Sequence, residues 1–226
     1  MKRSLAELDG GNSRFFYDSL PPEEQWRLFA EFRHSAAYLD IETTGVSGMD
    51  RITTIALYDG RDIRCYVRGR NLDEFKSDIR SYGLLVTYNG KCFDVPFIQR
   101  ALGIRIDVAH IDLRYVLRSL GYSGGLKGCE KQIGIDRGDL EGLDGYFAVI
   151  LWNDFIRNRN ERALETLLAY NVEDVVNLEA LMIHAYNRKL GATPFGLSGR
   201  YPLPTSPQIP FKPDAATINR LRRAFW

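Results

Sequence analysis

The chain has 226 residues, 45% of them hydrophobic and 26% charged, with a formal net charge of +1. That size and balance suit a normal globular core, in one domain with additions or in two small ones. Charge this close to neutral does not by itself announce a nucleic-acid binder, although a site can be locally basic or can recruit cations.

Cys65, Cys92 and Cys129 are scattered, odd in number and not in CxxC spacing. They read as reduced thiols of a cytoplasmic protein and argue against a zinc site. The opening "MKRSLAELDGG" has no apolar stretch of the secretory kind, and no run approaches the length that spans a bilayer. The expected setting is therefore the cytoplasm, with no membrane contact.

Residues 1–20 mix charge, glycine and aromatics without a clear period. "PPEEQWRLFAEF" then starts with prolines and acids, as helices do, and places Trp26, Phe29 and Ala30 at helical spacing. Three strands are predicted next: "AAYLDIE", "ITTIALYD" and "IRCYVRG". Short polar connections such as "DGRD" at 59–62 predict antiparallel hairpins. A helix is expected at about 72–81, and "GLLVTYN" at 83–89 reads as a buried strand. From "FDVPFIQRAL" onward the pattern is mostly helical, with one more short strand expected at 104–110. The longest helical segment is "ERALETLLAYNVEDVVNLEALMIHAYNRKL", with Leu164, Leu167, Leu168, Val172, Val175, Val176, Leu178 and Leu181 as its apolar side. Three strands, then alternating helices and strands, then a long helix predict an α/β fold: a mixed sheet with helices on its faces. Six of the nine prolines fall between Pro194 and Pro213, so this stretch is read as an extended arm. "DAATINRLRRAFW" is expected to add a short terminal helix, with Asp214 as its N-cap.

Acids stand in unexpected places along this plan. Asp40 and Glu42 lie two residues apart on the first strand, so they share a face while Ile41 takes the other. Side by side they repel and resist desolvation, and a bound cation is the simplest compensation. Asp94 follows a buried strand and a turn at Asn89-Gly90. Tyr170 and Asp174 sit four apart, on one face of the long helix. Singly, each acid has an ordinary explanation. Asp94 would cap a helix starting at Val95-Pro96, and Asp174 would be solvated, as Glu173 is expected to be. Together the four suit a pair of Mg2+ or Mn2+ ions, which take oxygen ligands and relieve the repulsion. Two such ions about 3.5–4 Å apart can clamp the attacking and leaving oxygens of a phosphoryl transfer. Tyr170 is then placed to hold the attacking water, orientation being an easier task than proton removal for a phenol whose pKa is near about 10.

"LDIETTG", "YNGKCFD" and "YNVED" resemble the three motifs of the DEDD superfamily, the DnaQ-like 3′→5′ exonucleases, with the four acids at Asp40, Glu42, Asp94 and Asp174. Tyrosine stands four residues before Asp174, as in the tyrosine subgroup, and Ala169 occupies the place where the other subgroup has histidine. "LFAEFRHSAAYLDIETTG", "HIDLRYVLR", "GGLKGCEKQIGI" and "LLAYNVEDVVNLEAL" extend the resemblance, over about residues 25–187, to the YprB-like family of ribonuclease-H-like exonucleases. The resemblance implies a five-stranded mixed sheet with the second strand antiparallel to the rest. It also implies two-metal hydrolysis of phosphodiesters, releasing nucleoside monophosphates from the 3′ end of single-stranded DNA or RNA. On this plan residues 1–30 form an N-terminal extension and helix, 31–190 the ribonuclease-H-like exonuclease domain, and 191–226 the Pro-rich arm with its short helix.

Thr43 and Thr44 are candidate contacts to the terminal nucleotide, or else an ordinary strand-ending turn. Asn89 is a candidate substrate contact, although Asn-Gly is also a turn signal. Lys127, at a helix start, suits a phosphate or is simply solvated. Arg114, Arg118, Lys127 and Lys131 are candidates for a basic strip. Asp112 is read as the cap of "LRYVLRSL", with His110 at the strand end, rather than as further ligands. "RLRRAFW" either touches single-stranded nucleic acid or anchors the terminus by burying Phe225 and Trp226, and we favour the anchor. Three functions compete: a metal-dependent exonuclease, a nucleic-acid-binding module with little catalysis, and a phosphodiesterase for very short oligonucleotides. No helicase motif or Walker loop is present.

Overall fold

The computed structural model describes residues 2–45, 47, 49–196 and 198–225. Five strands build one sheet: β1 (Ala36–Thr43), β2 (Ile52–Tyr58), β3 (Ile63–Val67), β4 (Leu84–Thr87) and β5 (Ala109–Asp112), in the order β3-β2-β1-β4-β5. β1 pairs antiparallel with β2, and β2 with β3, while β4 lies parallel to both β1 and β5. The second strand thus runs against the other four, as the resemblance implies. The expected hairpins are present.

Alternation along β1 decides where the acids go. Ala37, Leu39 and Ile41 pack with Ile55, Leu57, Phe75 and Ile98 on one side of the sheet. Ala36 and Tyr38 pack on the other side, against Val172, Val175 and Met182. These three belong to α9 (Glu161–Gly191), the 31-residue helix that spans the sheet. Asp40 and Glu42 continue the even-numbered series and therefore face α9. Burial of each large apolar side chain in these layers is worth about 1.5–3 kcal/mol, which is enough to set the register against a one-residue slip. The N-terminal half of α9, through Leu164 and Leu167, packs with Phe147 and Leu151 of α8 (Gly145–Asn158).

Several elements depart from expectation for local reasons. Residues 1–20 hold α1 (Lys2–Asp9) and α2 (Ser13–Ser19). α1 buries no residue and α2 only Ser13, so neither carries an apolar period to read. After Pro21 the chain takes a tighter 3-10 path over Pro22–Arg27 before the five residues of α3 (Leu28–Phe32). The helix expected at 72–81 is a 3-10 turn, one turn of α4 (Phe75–Asp78) and a second 3-10 turn. α5 (Asp94–Leu102) follows β4. The strand expected at 104–110 pairs only from Ala109. Ile104, Ile106 and Val108 do alternate, but they pack against the sheet without joining its ladder. α6 (Leu113–Ser119) and α7 (Gly125–Ile133) follow β5.

Residues 200–214 carry neither helix nor strand, and Tyr201, Ile209 and Phe211 pack against the core. α10 (Ala215–Phe225) follows, and Asp214 Oδ2 accepts the Thr217 amide at 2.8 Å, as expected of its cap. The expected aromatic anchor is corrected: Phe225 is 56% exposed, and Trp226 lies outside the described residues. Ile218 and Leu221 pin the helix instead, four and seven residues after the cap, because they share its inward face.

Candidate active site

A cleft of about 970 Å³ opens beyond the ends of β1 and β4, lined by Asp40 and Glu42 from β1, by Asn89 from the turn after β4, by Asp94 from the start of α5, and by Tyr170 and Asp174 from α9. One carboxylate oxygen from each of Asp40, Glu42 and Asp174 lies within 4.8 Å of the other two. Glu42 and Asp174 are buried, and Asp40 is half-buried at the cleft floor.

Asp94 is the first residue of α5 and does not cap it with its side chain. β1 pairs with β4 only as far as Tyr38 opposite Val86. Ile41 lies beyond that ladder, and its N–H donates to Asp94 Oδ1 at 3.1 Å. The carboxylate thus replaces a missing strand partner, as a buried amide requires. Asp94 stands outside the 4.8 Å group, but its charge reaches Asp40.

Two residues absent from the sequence-based site hold these acids. Asn171 donates through Nδ2 to Asp40 Oδ2 at 2.7 Å, and its Oδ1 accepts the Thr54 hydroxyl at 2.9 Å. Thr54 faces Glu42 across the β1–β2 pair, so the strand neighbour of one acid orients the partner of another. Arg137 donates through Nη2 to Asp174 Oδ1 and pairs through Nε and Nη2 with Glu130, at 2.6 and 2.7 Å. Asn171 sits inside "YNVED", one residue past the tyrosine, but its spacing from Asp174 carries no sign of its reach to β1. Arg137 follows α7 in an irregular segment, with no spacing that ties it to the acids.

The electrostatics show how hard this cluster is to charge. Asp40 is raised well above the usual carboxylate range, by burial first and then by Asp94, Asp174 and Glu42. Glu42 is raised likewise, by burial and by Asp174, with Lys127 and Arg137 opposing. Asp94 is pushed up to about 7, chiefly by burial, against the stabilising Ile41 amide. Asp174 is also raised, burial outweighing Arg137. Buried carboxylates that repel one another and offer hard oxygen donors fit a divalent cation such as Mg2+ or Mn2+.

Tyr170 is 4% exposed and its phenol is raised far above its ordinary value, by burial first and then by Asp174, Glu42 and Asp40. It stays protonated, which suits orientation rather than proton removal. Lys127 is not solvated, contrary to one of the two sequence readings. Its ammonium donates to the Tyr170 hydroxyl at 2.7 Å and to the Leu143 carbonyl, and burial lowers its pKa. Because the phenol oxygen accepts from Lys127, its own hydrogen is directed elsewhere.

Thr43 lines the cleft, and its hydroxyl donates to the Gly45 carbonyl at 2.5 Å. Thr44 is not among the lining residues. Its hydroxyl donates to Asp50 at 2.9 Å and accepts the Arg51 amide at 3.0 Å, so it ties the turn after β1. Asn89 lines the cleft in a left-handed conformation (φ 67°), and its Oδ1 accepts from Arg114 Nη1. Asp112 caps α6 through the Arg114 amide at 3.0 Å, and also takes the amides of Asn89 at 2.8 Å and Lys91 at 3.0 Å. One carboxylate therefore fixes both the helix and the turn that meet at the cleft. Gly90 is required there because a Cβ would collide with the Thr87 side chain. His110 is within the strand rather than at its end, paired with the Thr87 hydroxyl at 2.9 Å. Of the basic strip, Arg114, Arg118 and Lys127 line the cleft, while Lys131 lines a second cavity that it shares with Lys127. Glu173, expected to be solvated, is half-buried and accepts from Asn177 at 3.2 Å.

Comparison with known proteins agrees with this architecture. Residues 37–186 match the family described as the RNase_H superfamily. An uncharacterized protein of Bacillus subtilis (strain 168), YprB, is 30% identical over an alignment of 175 positions that covers 67% of this chain and 42% of that protein. The chain thus spans less than half the length of that relative. Among solved structures, the family B DNA polymerase of the hyperthermophilic archaeon Pyrobaculum calidifontis matches with a TM-score of 0.53 at 16% identity. That match covers 74% of this chain and 27% of the polymerase, and at such identity it speaks to the fold alone. With its mixed sheet, its acid-lined cleft and a family match spanning most of its length, the chain belongs to the ribonuclease H superfamily, among YprB-like members.

Proposed function

We propose that the chain is a two-metal-ion 3′→5′ exonuclease that hydrolyses single-stranded DNA or RNA and releases nucleoside monophosphates. The observation that carries this reading is the convergence of Asp40, Glu42 and Asp174 within 4.8 Å, in a cleft that Asp94 and Tyr170 also line. Mg2+ or Mn2+ bound there would neutralise charge developing on the scissile phosphate and lower the pKa of a bound water.

The protein's own groups would do the rest. Asp40, Glu42, Asp94 and Asp174 are the proposed ligands. Tyr170, kept neutral and held through its oxygen by Lys127, is free to donate its hydrogen to an oxygen in the cleft and so orient the attacking water. Thr43 and Asn89 line the cleft where the terminal nucleotide would lie, with Arg114 and Arg118 on the same wall to meet phosphates. Lys127 serves the substrate indirectly, by fixing Tyr170. Thr44 keeps only a turn-holding role in this proposal.

Cys65, Cys92 and Cys129 are free cysteines, and a cytoplasmic setting is part of the proposal. Among the described residues no helix is long and apolar enough to cross a membrane.

A panel of RNA and DNA strands, single- and double-stranded and labelled at either end, tests the reading with Mg2+ and Mn2+. The expected result is stepwise shortening of single strands from the 3′ end with release of monophosphates. Internal cuts, or shortening from the 5′ end, would overturn the polarity. Rates that fall as strands lengthen would favour a phosphodiesterase for very short oligonucleotides, and binding without turnover would favour a binding module. The near-neutral net charge is what keeps the short-substrate reading in view.

A further inference from the structure

Arg137 and Glu130 form a buried ion pair next to Asp174, and neither belongs to the three acid-bearing motifs. Their side chains are 2% and 1% exposed. Glu130 comes from α7 and Arg137 from the segment after it, whereas Asp174 comes from α9. The guanidinium meets Glu130 with two parallel bonds, through Nε at 2.6 Å and Nη2 at 2.7 Å. Asn177, one turn beyond Asp174 on α9, donates to the same Glu130 at 3.1 Å. With its plane set by that fork, Arg137 extends Nη2 to Asp174 Oδ1.

From this arrangement we infer that Arg137, held by Glu130, is a positioning residue that aims the Asp174 carboxylate at the metal site. The inference rests on the proposed metal site and adds to it the device that orients one ligand. A carboxylate on a short side chain can rotate about its last bond. Occupying Oδ1 with a fixed donor stops that rotation and leaves Oδ2 for a cation. Asn171 does the corresponding work for Asp40 on the opposite wall. The two ligands are thus held by different donors, Asp40 by a neutral amide from α9 and Asp174 by a cation from the segment after α7.

Arginine suits this task better than lysine. A bidentate fork fixes the direction of the third bond, while an ammonium is a point charge that swivels. Glu130 makes the burial tolerable, since an arginine so deeply enclosed needs a nearby anion besides a metal ligand. Tyr170 gains as well, because the Arg137 guanidinium carbon lies 6.0 Å from its ring centroid and helps wall in that side of the site.

The test is titration of the full chain with Mn2+ by calorimetry, with folding monitored separately in EDTA. The double variant Arg137→Met, Glu130→Met removes one charge of each sign, so the net charge of the site is unchanged and only the aiming is lost. Apolar replacement of a buried ion pair is often tolerated by the fold. The expected result is a Kd for Mn2+ raised about 10- to 100-fold, as for other supports of metal ligands. Arg137→Lys, which keeps the charge without the fork, should raise the Kd by a smaller factor, and it decides the matter if the double variant does not fold. Wild-type affinity in either folded variant overturns the inference and leaves the metal site standing. A wild-type chain that takes up no Mn2+ overturns the metal-site reading and this inference with it.

Discussion

Replacing Asp94 with Asn should flatten part of the pH dependence of stability in the metal-free protein. The Asp94 carboxyl is 3% exposed and is pushed up to about 7, mainly by burial. In the unfolded chain it ionises near about 3.9. Between those values the folded state holds a proton that the unfolded state has released, so stability falls as pH rises toward 7. Carried from about pH 5 to about pH 8, this one group costs about 2–3 kcal/mol. His110 works in the opposite sense. Its folded-state pKa is pushed down to about 3, first by burial and then by Lys91. The unfolded imidazole takes up a proton below about 6.5, so that contribution to stability rises with pH. The wild-type slope mixes these effects with those of Asp40, Glu42 and Asp174, which are raised too, and the difference between wild type and Asp94→Asn leaves Asp94 together with its repulsion of Asp40 and Glu42. Asparagine keeps an acceptor for the Ile41 amide, so the local hydrogen bond survives. Urea unfolding in EDTA at about pH 5 and pH 8 should show the variant gaining about 2–3 kcal/mol on wild type across that range, or roughly 4–12 °C in melting temperature. An equal difference at both pH values would refute the argument. Saturating Mg2+ should shrink the gain, because the cation neutralises the charge that burial penalises.

Other outcomes follow from the same geometry. Asn171→Ala should weaken Mn2+ binding about 10- to 100-fold by freeing Asp40, measurable by calorimetry on the folded variant. Tyr170→Phe should retain Mn2+ affinity but lower kcat by about 100-fold, since only the orienting hydroxyl is lost. Steady-state kinetics with a labelled strand separates that result from a loss of binding. Leu221→Ala should cost about 2–5 kcal/mol in urea unfolding, because Leu221 is 3% exposed and pins α10 where Phe225 does not.

Much of the fold was legible because burial leaves a period in sequence. β1 alternates toward two chemically different layers, so the shared face of Asp40 and Glu42 could be read directly from their spacing. Tyr170 and Asp174 were legible for the same reason on a helix. Elements that bury little left no such trace: α1 buries no residue, and α2 buries only Ser13 fully while Phe16 and Tyr17 pack partly exposed against the core. The segment with Ile104, Ile106 and Val108 misled because packing against a sheet and pairing within it demand the same alternation. Phe225 misled because size suggested an anchor, whereas the phase of α10 selects Ile218 and Leu221.

Within the site, the acids could be found from sequence and their supports could not. Lys127 reaches Tyr170 across 43 positions, Asn171 reaches Asp40 across 131, and Arg137 reaches Asp174 across 37. Contacts of that kind depend on how α7, β1 and α9 are brought together, and no local spacing encodes them. The same holds for Asp112, whose role as a helix cap was readable while its hold on the Asn89 turn was not.

We propose that the cluster of acids makes this chain a metal-dependent nuclease. It is tested most directly by incubating wild type, Asp40→Asn and Asp174→Asn with a labelled single strand, in Mn2+ and in EDTA. Wild type should cleave in Mn2+ and not in EDTA, and either folded variant should lose at least about 100-fold. Cleavage in EDTA, or full activity in both variants, would contradict it.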